Sequence, residues 1–221
     1  MPKYGWDVKE HLLFDEEVKR MFDTCKNDYE RLAVAIMWRA APRPMEMMGD
    51  ILKQSQIKIE EEQVSMTLKT LKLGEGGKFN VADRLMQFAR PKGIEQDIYL
   101  ETIARMVTKT APEQPMLPFS KRWLERICNR MGLEILGRPI TPYHFRHGRM
   151  TWLARNGATL DKLKHFKGAA DYRSVWGYIG ATPFVVSQEL ARAGEKRKAA
   201  LQTKQEGEGG QTSTIQEPPK N

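Results

Sequence analysis

Arg43, Arg146 and Tyr178 are the residues whose types and spacing point to phosphoryl-transfer chemistry. Arg43 lies in Ala40-Ala41-Pro42-Arg43-Pro44-Met45-Glu46, with a glutamate three residues further on. Arg146 lies in Thr141-Pro142-Tyr143-His144-Phe145-Arg146-His147. There Thr-Pro opens a helix and sets Tyr143 and Arg146 on one face. Helix starts and guanidinium forks are two standard ways to hold a phosphate. Tyr178 follows the second arginine by about thirty residues. Its hydroxyl can attack phosphorus to give a covalent intermediate that keeps the bond energy, so resealing needs no nucleotide cofactor. A phenol has a reference pKa near 10, so neighbouring positive charge must help it lose its proton. Tyr172, between Asp171 and Arg173, is the competing nucleophile, and an ordinary packing role is the alternative for either tyrosine.

The elements that position these groups are mostly helical. Residues 15–24 form an amphipathic pattern with Val18, Met21, Phe22 and Cys25, and residues 29–41 a strongly apolar one. Pro42 stops that helix and Pro44 starts the next, so Arg43 is expected in a helix–helix corner, its head turned to a ligand. Residues 56–60 and 63–70 alternate as half-buried strands, Gly74-Glu75-Gly76-Gly77 turns the chain, and residues 78–81 return as a third strand. Helix resumes over 94–109. Pro112, Pro115 and Pro118 mark a loop, and Ser120 caps a helix whose Trp123, Leu124, Ile127, Cys128 and Met131 face inward. The Thr141-Pro142 helix runs to about Asn156, where Gly157 ends it. Thr159 caps a short helix closed by Gly168, and a last amphipathic helix is expected over 186–200. The fold class is therefore mainly α with a small three-stranded antiparallel β-sheet. One domain is expected over 1–202, followed by a disordered tail over 203–221 whose composition supports no core.

Composition narrows the partners. The 221 residues carry a formal net charge of +8, which favours a polyanion. Cys25 and Cys128, the only cysteines, sit in apolar helical patterns, which reads as reduced, buried and cytoplasmic, with no disulfide framework. No cluster has metal-ligand spacing, so no metal is expected, and no apolar run suggests a membrane partner. His144 and His165 take no assigned role.

The order and spacing of these segments resemble the catalytic domain of the tyrosine recombinases, the phage-integrase family. Ala41-Pro42-Arg43-Pro44-Met45-Glu46-Met47 stands where that family carries T-G-L-R-x-x-E-L. Thr141 to His147 stands for T-P-H-x-L-R-H, and Lys167-Gly168-Ala169 followed by Tyr178 for L-G-H and the nucleophile. Thr67-Leu68-Lys69-Thr70-Leu71 fills the place of the family's hairpin lysine. The resemblance spans about residues 12–190. Two positions depart from it. Tyr143 replaces the usual second-box histidine, as in integrases of archaeal plasmids and viruses, and Ala169 replaces a histidine or tryptophan that donates to the scissile phosphate.

The resemblance implies site-specific DNA cleavage and rejoining through a 3′-phosphotyrosyl intermediate, with no metal or nucleotide cofactor. Arg43 and Arg146 would grip the phosphate, Lys69 would protonate the departing 5′ oxygen, and Tyr143 would donate a hydrogen bond to the phosphate. His147 would support the site from behind, and Lys72 and Lys78 would contact DNA from the hairpin. The implied partners are double-stranded DNA, further copies of the chain as a tetramer on DNA, and a separate N-terminal DNA-clamping domain or fragment. A non-cleaving DNA-binding derivative is the rival expectation, because of Ala169.

Overall fold

The structure, a computed structural model, describes residues 12–73, 79–93 and 96–180. The helix expected over 186–200, the tail expected from 203, and Lys78 lie outside the described residues. Helix α1 (Asp15–Asp23) carries Asp15, Glu16 and Glu17 in its first turn, where they complement the helix dipole, and buries Val18, Met21 and Phe22. Helix α2 (Asp28–Ala40) starts at Asn27, whose side chain accepts from the Glu30 N–H at 2.9 Å. From Leu32 to Trp38 every residue of α2 is buried. A helix apolar all round is a central helix, and α1 and the later helix α3 (Ile98–Lys109) pack on it.

Three antiparallel strands lie in the order β1 (Ile57–Ile59), β2 (Gln63–Leu73) and β3 (Phe79–Ala89). In β2 the alternation is plain. Val64, Met66, Leu68 and Thr70 are buried, while Lys69 between them is exposed. The β2–β3 register pairs Lys69 with Asp83, Leu68 with Arg84 and Lys72 with Asn80. Beyond the sheet, Asp97 caps α3 and Ser120 caps α4 (Lys121–Leu136), and the proline-marked loop joins them. Helix α5 (Pro142–Arg155) ends before Gly157 (φ 79°), and α6 (Leu160–Lys167) ends at Gly168 (φ 60°). Cys25 and Cys128 are buried free thiols, and burial pushes the Cys25 thiol up to about 12.

Four sequence expectations change. No α-helix follows Pro42. Instead, single 3-10 turns occupy Pro44–Glu46, Gly49–Ile51 and Gln54–Gln56. Glu46 folds back to bond the Arg43 backbone, and Gly49 adopts φ 55°, so an α-helix cannot propagate there. The third strand runs to Ala89, well past residue 81, because pairing with β2 carries it on. Helix α3 begins at Ile98, set by the Asp97 cap, and not near residue 94. A further helix, α7 (Arg173–Gly180), carries Tyr178.

Two apolar clusters result. The large one surrounds α2 and includes α1, α3, α4 and the inner face of the sheet. The small one comprises Met150, Ala154, Leu163, Val175 and Tyr178, and it holds α7 against α5 and α6.

Candidate active site

Ala41 ends α2 in the left-handed region (φ 43°, ψ 46°), which costs a residue with a Cβ roughly 1–2 kcal/mol. The turn has a use. It aims the Ala41 carbonyl at Arg146, whose Nη1 donates to it. The other terminal nitrogen, Nη2, donates to the carbonyl of Lys167 at the end of α6. Arg146 is only 4% exposed, so this guanidinium is locked between the α2 corner and the α6 terminus. Two of the five N–H groups of the guanidinium are thereby used to fix its position.

Arg43 stands half-buried at the same corner and is fixed by Glu46. Its backbone N–H donates to Glu46 Oε2 at 2.8 Å, and its Nη1 donates to Oε1 at 2.6 Å. Glu46 is fully buried, which demands a second cation. Arg84 of β3 supplies it, with Nη2 3.0 Å from Glu46 Oε2, while Arg84 Nη1 donates to Thr70 Oγ1 at 3.1 Å. Burial pushes the Glu46 carboxyl up, but Arg84 and Arg43 outweigh it and hold the group below the usual carboxylate range. The hairpin is thus bolted to the corner through a single carboxylate.

Gly168 completes the circuit. Any Cβ there would land on Arg84 Nη1 and lie 3.0 Å from Thr70 Oγ1, and the φ of 60° also favours glycine. The result is three arginines, Arg43, Arg84 and Arg146, near one buried carboxylate, with Lys167 beside Arg146. The electrostatics register the crowding. Burial, then repulsion by Arg43 and Arg84, pushes Arg146 down to about 10. Burial, then Arg146 and Arg43, pushes Lys167 down to about 8, with Asp171 opposing. An excess of positive charge of this kind is able to hold an anion.

Tyr178 is 8% exposed, with its ring in the small cluster and its hydroxyl turned out to His147 Nδ1 at 2.8 Å. The Lys167 ammonium lies 4.9 Å from the centre of the same ring and donates to the Ser174 carbonyl. Burial raises the Tyr178 phenol to about 12, and Arg146 pulls the other way. Tyr172 is exposed, and its hydroxyl is bonded to Asp161, away from this network.

The sequence-predicted residues divide accordingly. Arg43, Arg146, His147 and Tyr178 belong to one connected region. His147 was expected only as a supporting residue, but it bonds the Tyr178 hydroxyl directly, because the α5 turn after Arg146 faces α7. Tyr143 stands at the start of α5, 46% exposed. Lys69 does not join the network. It points to the exposed face of the hairpin, opposite Thr70, in register with Asp83. Lys72 lies on β2 further toward the hairpin tip. His144 gains a structural use, its Nδ1 accepting from the Thr141 backbone N–H at 3.0 Å. Ala169 is half-buried and lines a hollow of about 370 Å³ with Thr70, Arg84, Lys164, His165 and Gly168. Arg84 and Lys167 were missed. Arg84 lacks a motif of its own, and Lys167 stands in the Lys167-Gly168-Ala169 segment at the end of α6, where no role was read for it from the sequence. Among the described residues, no group of three or more His, Cys, Asp or Glu is placed to hold a metal ion.

No protein-family model and no curated protein matches the sequence. The fold is shared with solved structures. The XerA recombinase superposes with a TM-score of 0.60 at 16% identity, covering 82% of this chain and 64% of that one. The XerH site-specific recombinase bound to its difH substrate gives 0.55 at 15%, covering 76% and 49%. The catalytic domain of bacteriophage HP1 integrase gives 0.52 at 17%, covering 81% and 93%. This chain therefore has the fold of tyrosine-recombinase catalytic domains, and it spans about half to two thirds of the length of the two Xer chains.

Proposed function

We propose that this chain cleaves and rejoins double-stranded DNA through a covalent link from Tyr178 to a 3′ phosphate. The observation that carries the proposal is the bonded Arg43–Glu46–Arg84 trio with the buried Arg146 close by, beside a tyrosine whose hydroxyl is already paired with a histidine. Arg43 and Arg146 would bind the non-bridging oxygens of the scissile phosphate and stabilise the charge that grows in the pentacoordinate transition state. Donors fixed before the reaction contribute most, and the loss of one such donor costs roughly 3–4 kcal/mol. Arg146, locked at both ends, is preorganised in this sense.

Tyr178 Oη would attack phosphorus, passing its proton to His147 Nδ1, and the 5′ oxygen would leave. Burial holds the free phenol near 12, so the attacking form is created in the complex, where His147 takes the proton. Lys69 is the proposed general acid for the 5′ oxygen. It stands on the exposed hairpin face, so it must reach the leaving group by movement of the hairpin or of DNA against it. Tyr143 would donate to the phosphate from the start of α5. That residue also underlies the assignment to the archaeal plasmid and virus type of integrase.

The test is a duplex with a nick next to the cleavage point, which traps the covalent product. Wild type is expected to form a DNA–protein adduct, and joining of two duplexes distinguishes a recombinase from an enzyme that only relaxes DNA. A second reading is favoured by Ala169, which presents no donor toward the phosphate. A non-cleaving binder would show salt-dependent DNA binding and no adduct.

A further inference from the structure

We propose that Lys167 is a fourth phosphate-binding residue, one that occupies the nucleophile's side of the site and supplies the positive donor that Ala169 lacks. The inference rests on the reading of this region as a phosphate site, and it gives a role to the side chain of Lys167, which the Lys167-Gly168-Ala169 segment left without one. Geometry carries it. Lys167 is the last residue of α6, and its carbonyl receives Arg146 Nη2, so its backbone is already part of the arginine lock. Its side chain crosses to α7, where the ammonium donates to Ser174 O and stands 4.9 Å from the centre of the Tyr178 ring. It therefore bridges the cation cluster and the attacking group. Ala169, two residues on, packs on the small cluster beside a hollow lined by Arg84, Lys164 and His165, and offers only a methyl group.

The surroundings make this ammonium responsive. Arg146 of α5 and Arg43 of the corner repel it, Asp171 of the α6–α7 loop attracts it, and Tyr178 of α7 lies beside it as a neutral phenol with His147 beyond. Burial and the two arginines bring Lys167 down to about 8 in the free protein. A phosphate placed among these cations reverses the repulsion and raises the pKa of Lys167 in the complex. Binding DNA near or above pH 8 must then take up a proton, and the affinity must fall as pH climbs through the free-state pKa of Lys167.

A short fluorescent duplex is titrated with the full chain at fixed salt, at pH 7 and at pH 9.5. Wild type is expected to bind more weakly at the higher pH. Lys167→Met, which keeps the apolar stem, is expected to bind about tenfold more weakly than wild type at pH 7, the scale of a lost charge-assisted hydrogen bond, and to lose the Lys167-dependent decline. Lys167→Arg, whose charge does not titrate in the same range as the lysine, is expected to bind near the wild-type level at pH 7 and to weaken less than wild type at pH 9.5. Met and wild type with the same affinity and the same pH profile would overturn the proposal. So would an arginine variant as weak as the methionine one, because the side chain would then matter for packing alone. Cleavage is read separately on the nicked duplex. Absence of any adduct with wild type removes the strand-cleaving reading while the binding profile still decides the role of Lys167. Normal adduct formation alongside a silent Lys167→Met removes the present inference and leaves cleavage intact.

Discussion

Around Arg43, Arg84 and Arg146 the links are doubled, whereas Tyr178 rests on a hydrogen bond to His147 and a small apolar cluster. Glu46 spends both carboxylate oxygens on two arginines, and Arg146 spends both terminal nitrogens on two carbonyls from distant elements. Behind that corner lies α2, buried all round from Leu32 to Trp38. The tyrosine helix is different. It has eight residues, and its own Trp176 and the neighbouring Tyr172 are exposed. The contrast fits the division of labour in phosphoryl transfer. Transition-state donors act best when already in place, while a nucleophile must be brought into line.

The largest expected effect comes from removing the carboxylate that ties the rigid half together. Glu46→Ala leaves Arg84 buried without its partner, and denaturant unfolding should show a loss of about 3–5 kcal/mol. A change under 1 kcal/mol would mean that the corner is not the keystone it appears from its bonding. Next, Leu163→Ala opens the small cluster under α7, with an expected cost of about 2–3 kcal/mol, at the low end for a buried leucine because so small a cluster can close around the gap. Hydrogen exchange sharpens the contrast. The α7 amides should exchange by local opening at lower free energy than those of α2, which should open only with global unfolding. Equal protection of the two helices would erase the distinction.

The smallest effect concerns charge. Lys167 has a lower pKa folded than unfolded, so between about 8 and its ordinary value the unfolded chain binds the extra proton. Its contribution to stability therefore improves as pH rises through that window, and at pH 7 its charge is a burden on the folded state. Lys167→Met should give a slightly higher melting temperature at pH 7 while weakening DNA binding. A melting temperature that falls would show that the ammonium is a net stabiliser of the free protein.

The sequence disclosed what repeats along the chain and concealed what meets across it. The α2 helix, the β2 alternation, the Ser120 and Thr159 caps and the Gly157 and Gly168 stops follow from local periodicity and cap chemistry, so they were visible. Arg43, Arg146 and Tyr178 stood out because motif spacing ties them together. Arg84 was hidden, since nothing local says that a strand arginine will find Glu46, thirty-eight residues earlier, in the core. Lys167 was visible only as part of its box, because its bond to Ser174 and its place over the Tyr178 ring come from α7 folding back over it. Lys69 shows the reverse case, a residue marked by its motif whose surroundings were not. Its motif fits, yet strand alternation sends it to the outer face, away from the buried Thr70 beside it.

Trapping on the nicked duplex tests the central claim most directly, comparing wild type with Tyr178→Phe and Tyr172→Phe. The substitution at 178 removes only the hydroxyl that bonds His147, so the chain should fold and bind DNA near normally. The account predicts a covalent adduct with wild type and with Tyr172→Phe, and none with Tyr178→Phe. An adduct that persists in Tyr178→Phe and disappears in Tyr172→Phe would contradict it.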